Sequence, residues 1–443
     1  MNFFSLIKSA VVKFFAKSQP VISHEMQTES EKWHNIYINN GIWLKNDVIS
    51  LRLPTAITSE LSRLVFTESE IVTDEKSQYK AIISDFMSRL DDEFETALAL
   101  GGMMFKPYLS HGKICIDLIR ADCFLPVSFT EKTMTAAVFV SKKTVGNVHF
   151  TLLEYHEFNA ENQTHTIKNK VCKSLNSEYI GMECGFDEVP EWSGLVPEIT
   201  FRNVEKPLFS YFRVPCTNDI DLDSPLGVSV YARAVDLIRQ ADEQWARIEW
   251  EYKSKETALD VSMDMLKNGE LPQKNNRIYR RYNVDNLDGN FYNIFSPEIR
   301  DSSYFNYFNR ILQRIEFNCG LAYGTLSDPQ TVEKTAEEIR TSKQRSYTHV
   351  SAIQKNLETA INDLFYAVSV YAKIGGISAV PAEISCTWGD SVLEDTDKEF
   401  QRRLQMVNAG LLSKEKFISW YFHCDENQAN AYIPQSDELF GGM

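Results

Sequence analysis

The segment from Tyr304 to Ile374 constrains this chain more than any other. Tyr304, Phe308, Ile311, Leu312, Ile315 and Cys319 recur at three- and four-residue intervals, the stripe of an amphipathic helix. Gly320 follows, a residue that tolerates the positive φ at which helices stop. A polar loop comes next, Tyr323-Gly-Thr-Leu-Ser-Asp-Pro-Gln-Thr-Val-Glu-Lys334. Thr335-Ala-Glu-Glu338 has the form of a capping box, in which side chains and terminal N–H groups satisfy one another. The helix it opens carries Val350, Ile353, Leu357, Ile361, Leu364 and Val368 on one stripe, and Gly375-Gly376 ends it. At 1.5 Å per residue that helix reaches about 55–60 Å, long for one globular domain. Periodicity alone predicts a helical hairpin within a bundle.

The chain has 443 residues, 43% hydrophobic and 24% charged, enough for a sizeable core and more than one typical domain. Its net charge of −15 is the wrong sign for an adhesive nucleic-acid binder. It does not argue against a protein that DNA must slide through, because acidic groups repel phosphate, but an acidic balance is common in soluble proteins and by itself decides nothing. The eight cysteines are scattered without a CxxC pair or a Cys/His cluster at zinc spacing, which predicts reduced thiols and no metal. There is no P-loop, GxSxG, HExxH or strand-to-helix GxGxxG, so no catalytic residue and no cofactor is expected.

Met1 to Ser18 is apolar, with Lys8, Lys13 and Lys17 interspersed. It is too short and too charged to span a bilayer and reads as an amphipathic helix that packs on protein. Helices are predicted over Ile57–Phe66 and Gln78–Leu100, the second ended by Gly101-Gly102. The pattern then turns to strands: Met104–Tyr108, Lys113–Ile119, Ala136–Val140, Val148–Tyr155, Thr164–Val171 and Lys206–Phe212. Helices followed by an antiparallel sheet make an α+β region. His149, Tyr155 and His156 carry the reactive groups on these strands, where a histidine is more often structural than catalytic.

Asp223-Ser-Pro-Leu-Gly-Val-Ser229 reads as the start of another helix, with Ser224 as cap and Pro225 in the first turn, running to about Lys255. Val235, Ile238, Trp245, Ile248 and Tyr252 form a seam near heptad spacing that should meet another helix. Arg239, Asp242, Glu243, Arg247, Glu249 and Glu251 make up its polar side. Between the paired helices, Thr257–Ile299 holds one basic run in an acidic chain, with Lys274, Arg277, Arg280 and Arg281. Such a run is either a solvated edge or a surface for an acidic partner. A strand over Ile384–Trp388 and helices over Asp397–Asn408, Ser413–Tyr421 and Asp425–Ile433 complete the pattern.

Several of these phrases occur together in one known family. Gly320-Leu-Ala-Tyr-Gly-Thr-Leu326, Lys334-Thr-Ala-Glu-Glu-Ile339 and Ser224-Pro-Leu-Gly227 resemble the portal proteins of tailed double-stranded-DNA bacteriophages. So, in order, do Trp33-His-Asn-Ile-Tyr37, Gly41-Ile-Trp43, Leu98–Pro107, Asp122–Pro126, Val189–Trp192 and Val407–Lys414. The resemblance implies an α+β portal fold: a helical and antiparallel-sheet wing, a two-helix stem, a small α/β clip, a long tunnel-loop helix and a helical crown. It divides the chain into N-terminal helices and wing (1–222), stem helix 1 (223–256), clip (257–299), stem helix 2 (300–322), tunnel loop (323–334), long helix and wing return (335–382) and crown (383–443).

The resemblance further implies a homo-oligomeric ring of twelve subunits at one capsid vertex of the virion, assembled in the bacterial cytoplasm. Its implied partners are the terminase large subunit, head–tail connector or adaptor proteins, the major capsid and scaffolding proteins, and double-stranded DNA passing through irrespective of sequence; no membrane is among them. The ring would serve head assembly, genome packaging, tail connection and DNA ejection. Ser327, Asp328, Pro329, Gln330, Thr331 and Lys334 would line the DNA path, since apart from the lysine stem they have little apolar surface to bury. Lys274, Arg277, Arg280 and Arg281 would dock the motor at the clip. Phe308, Ile311 and Ile315 would join the stem seam. The alternative is another phage head protein, a minor capsid or connector component without a channel.

Overall fold

The computed structural model describes residues 22–44, 48–67, 69–72, 80–110, 112–131, 133–177, 179–254, 258–262, 279–282, 292–295, 301–328, 336–376, 385–388, 396–422, 426–429 and 432. For 70–72, 258–262, 279–282, 292–295, 336–342, 385, 396–399 and 426–427 it gives the backbone course only. The predicted N-terminal helix, within Met1–Ser18, lies outside the described residues.

The helices are α1 (His24–Tyr37), α2 (Leu53–Phe66), α3 (Lys80–Leu100), α4 (Val235–Ser254), α5 (Asp301–Cys319), α6 (Ala336–Ile374), α7 (Thr396–Asn408), α8 (Lys414–Phe422) and α9 (Glu426–Ala429). Strands β1 (Glu70–Val72) and β2 (Gly102–Ser110) to β7 (Thr164–Ser174) precede β8 (Met182–Cys184), β9 (Glu198–Arg202) and β10 (Ser210–Arg213). Within that run lie β3 (Lys113–Arg120), β4 (Phe124–Thr130), β5 (Thr133–Val145) and β6 (Val148–Asn159). Strands β11 (Ala258–Ser262), β12 (Tyr279–Tyr282), β13 (Tyr292–Phe295) and β14 (Ser385–Thr387) follow. The mixture of helix and antiparallel sheet is an α+β fold, and the chain divides into two compact units, 1–66 with 71–386 and 67–70 with 387–443.

The core of the larger unit lies where α2, α3 and α6 meet the sheet β10-β2-β3. Helix α3 buries Ile83, Phe86, Leu90, Phe94 and Leu98, one face at helical spacing. Phe86 meets the rings of Phe105 on β2 and Phe365 on α6, while Phe94 meets Phe66 on α2 and Phe212 on β10. Helix α6 supplies the other wall. Val350, Ile353, Leu357, Ile361, Leu364 and Val368, the stripe expected from sequence, are all buried. Its 39 residues reach about 58 Å.

The sheet β4-β5-β6-β7-β8, with β9 also pairing β7, is antiparallel throughout. Strands β4, β8 and β9 were not expected from the sequence. On one side of the sheet Phe150, Leu152 and Val171 pack with Val189 and Trp192. Elsewhere Val204 and Leu208 pack with Ala367 and Tyr371 of α6. Of the reactive residues singled out on these strands, His149 bonds Thr144, while Tyr155 and His156 are buried.

Within 257–299 the described strands form a three-stranded sheet in the order β12-β11-β13, parallel on one side and antiparallel on the other. The smaller unit holds α7, α8 and α9, where Phe400 meets Phe417 and Tyr421, and Arg403 lies over the Trp420 ring. Ser413 Oγ accepts the Lys416 N–H, which makes it the expected cap of α8.

One helix boundary differs from expectation. Ser224 does not open a helix; α4 begins at Val235, after a short 3-10 turn at Ala232–Ala234. The preceding stretch instead runs along the α3–β2 junction, where the Val230 N–H donates to the Leu98 carbonyl. Ser224 Oγ accepts the Leu226 N–H two residues on, a local turn and not a helix cap.

Candidate functional site

Helices α4 and α5 pack side by side in opposite directions. Trp245 and Phe308 have ring centroids 5.6 Å apart, and Asn318 Nδ2 donates to the Arg233 carbonyl at 3.2 Å. Val235, Ile238, Ile248, Ile311 and Ile315 are buried along this contact or beside it, and Trp245 and Phe308 are half-buried. Tyr252, assigned to the same seam from its spacing, is instead exposed near the end of α4. Trp250, 66% exposed, and Tyr307, 51% exposed, also face solvent, as does Phe305.

The polar side of α4 is less solvated than its composition suggests. Asp242 is buried and accepts the Trp43 indole N–H and the Leu51 N–H, each at 2.8 Å. Burial raises its pKa, against the lowering effect of those two donors. Glu251, expected on the polar side, is also buried.

The C-terminus of α5 ends as a Schellman motif. The Gly320 N–H donates to the Phe317 carbonyl and the Leu321 N–H to the Glu316 carbonyl. Gly320 has φ +71°, and a Cβ there would lie 2.7 Å from the His349 ring on α6. Arg345 of α6 places its guanidinium 4.5 Å from the Phe317 ring centroid and 5.5 Å from that of Tyr323.

Glu316 itself is 0% exposed. Its Oε1 accepts N–H groups from Gly324 at 3.1 Å, Leu326 at 2.7 Å and Ser327 at 2.8 Å. Its Oε2 accepts the Ser327 hydroxyl at 2.9 Å. Asn309, one helical stretch earlier, accepts the Asp328 N–H at 2.8 Å and donates to the Asp328 carbonyl at 3.3 Å.

These bonds correct the reading of Ser327. It was expected on an open face of the loop, yet it is 4% exposed. A small hydroxyl gains little from apolar burial, but it gains a charged acceptor here. Asp328 is exposed. Pro329, Gln330, Thr331 and Lys334 lie outside the described residues, as do Lys274 and Arg277. Arg280 and Arg281 fall on β12, in register with Asp260 and Val261 of β11. The Glu316 anchor was missed from the sequence. Its one visible signal was a carboxylate at a position next to the buried Ile315, in the last turn of α5.

The sequence of residues 71–434 matches the family described as phage portal protein, SPP1 Gp6-like. The chain belongs to that family. No curated relative matches it. The family match takes in α3, the sheets of β2 to β10, α4, α5, the loop and α6 of this portal protein, and excludes α1 and α2. The portal-like opening read at Trp33–Trp43 therefore lies outside the matched residues. Among the described residues no cluster of three or more His, Cys, Asp or Glu is placed to hold a metal ion, and no helix is long and apolar enough to cross a membrane.

Proposed function

We infer that this portal protein is a structural component that closes into a ring, twelve copies by likeness to its family, at one capsid vertex. The ring forms the channel through which the genome enters during packaging and leaves during ejection. Helices α4 and α5 make its stem, residues 257–299 its clip, 323–334 its tunnel loop and 383–443 its crown. The clip docks the terminase large subunit and, later, the head–tail connector; the outer rim meets major capsid and scaffolding proteins.

One observation carries this reading beyond the family match. The antiparallel pair α4–α5 buries its seam yet leaves Trp250, Tyr252, Phe305 and Tyr307 exposed on a single subunit. Large aromatic side chains gathered on one helix pair mark a surface that other protein covers. In a closed ring each subunit meets its neighbours through two different patches, so both flanks of a helix pair are used.

Electron microscopy of the purified full-length protein tests it. Rings with a central hole are expected. A stable monomer by light scattering across concentrations, with no rings in micrographs, overturns the reading.

A further inference from the structure

We propose that Glu316 is the positioning residue of the loop after α5: its carboxylate, with Asn309 and Arg345, locks residues 320–328 to the stem helix so that they move with it as one body. This rests on the portal reading for what the loop does, and on the geometry alone for how it is held.

Three backbone N–H groups from the loop converge on one oxygen of Glu316, and the Ser327 hydroxyl takes the other. Convergent N–H groups form a concavity that binds anions. Here the anion is supplied by the helix that the loop leaves. Hydrogen bonds to a charged acceptor are stronger than neutral ones, and a carboxylate removed from water depends on them. The backbone of Glu316 is used as well, since its carbonyl accepts the Leu321 N–H. One residue therefore binds the corner at four loop residues: Leu321, Gly324, Leu326 and Ser327.

The other two partners hold the corner from different sides. Asn309, seven residues before Glu316 in α5, makes a two-bond pairing with the Asp328 backbone at the far end of the corner. Arg345 lies against Phe317 and Tyr323 from α6, an arrangement favoured by ring electrostatics. The side chain of Ser327 is consumed inside the corner. Of the loop residues expected to line the DNA path, Asp328 is the first whose side chain is exposed. A shift of α5 carries the corner with it, which links the stem mechanically to the start of the loop.

Hydrogen exchange on the assembled full-length protein tests the lock. In Glu316→Ala the amides of Gly324, Leu326 and Ser327 should exchange about ten- to a hundredfold faster, while the β5–β6 and β6–β7 amides keep their protection. Glu316→Gln retains an acceptor oxygen and should recover part of the protection. Ser327→Ala removes only the hydroxyl bond and should give a few-fold change; it and the Gln variant carry the test if the Ala variant fails to assemble. DNA packaging should fall with Ala and return in part with Gln. Unchanged protection of the three amides in Glu316→Ala overturns the proposal. Lost protection with normal packaging leaves the lock standing and overturns the part assigned to the loop in moving DNA.

Discussion

Gly227 approaches Gly101 so closely that a Cβ on Gly227 would lie 1.9 Å from the Gly101 carbonyl oxygen. The contact is mutual, because a Cβ on Gly101 would lie 2.5 Å from the Gly227 carbonyl oxygen. Gly101 also has φ +87°, which a side chain strains. This pair lets the segment before α4 lie flat on the turn between α3 and β2, with the Val214 N–H bonded to the Gly101 carbonyl beside it.

The first prediction concerns that contact. Gly227→Ala puts a methyl group against backbone, which cannot swing away as a side-chain tip would. Overpacking of this kind costs about 1–3 kcal/mol. Thermal unfolding of the variant should begin at lower temperature than that of the parent, and Gly101→Ala should lower it at least as much. Unaltered melting of both would show that the two segments can move apart freely.

The same contact explains why the start of α4 was misread. Ser224-Pro225 is a good local helix opening, and nothing nearby in sequence opposes it. Tertiary packing of Gly227 on Gly101, more than a hundred residues away, holds the chain extended instead. By contrast the stripes of α3, α5 and α6 were legible, because each is written in one continuous period and buried on one side. The lock on the loop was not legible. A glutamate in a helix usually points to water, and only the folded turn shows that Glu316 faces the loop amides. Strands β8 and β9 are three and five residues long with exposed positions, so neither carries an alternation that stands out.

A second prediction follows from two buried histidines. The Leu208 N–H points to His165 Nδ1 at 3.4 Å, so the His165 proton sits on Nε2 and is donated to His156 Nδ1 at 3.2 Å. Burial holds both well below the ordinary histidine pKa; the Lys106 charge adds to this for His156, and His156 adds to it for His165. Lys106 is itself buried and paired with Glu154 and Asp117. The unfolded chain takes up protons near pH 6.5 while the folded pair stays neutral. Stability is therefore complete above about pH 6.5 and falls as the pH drops below it, by at most about 2.7 kcal/mol per pH unit for two sites. Melting midpoints between pH 7.5 and 5.5 should show this fall. The double variant His156→Gln, His165→Gln should flatten it, though His349, also lowered by burial, leaves a residue of the same sign. An equal slope in the double variant would refute the assignment.

The segment proposed as the clip gives a third. Arg280 and Arg281 stand on β12, an edge strand of the three-stranded sheet. With Lys274 and Arg277 they form the densest positive run in a chain of net charge −15. Replacing Arg277, Arg280 and Arg281 with Glu places like charges against an acidic partner, which penalises docking without touching the stem seam. Rings should form as before, while terminase binding and packaging should fall. Wild-type packaging by the triple variant in a reconstituted system would remove the clip from the docking surface.

The last prediction concerns Asp328. Its backbone is fastened on both sides by Asn309, and its side chain is exposed. A substitution there changes the charge at the start of the loop without releasing the corner, since neither Asn309 bond uses the Asp328 side chain. Repeated around the proposed ring, the native residue would set a belt of negative charge near the duplex that keeps phosphate from adhering. Asp328→Lys would convert the belt to cations that bind phosphates and release counterions. Ring assembly and hydrogen-exchange protection of Gly324 to Ser327 should stay as in the parent. DNA transport should slow at low salt and recover as salt rises, because screening shortens the reach of the new charges. Packaging or ejection measured on assembled particles at two salt concentrations decides it. Parental rates at both would mean that Asp328 does not face the DNA path, and the tunnel assignment of this loop would fall with it.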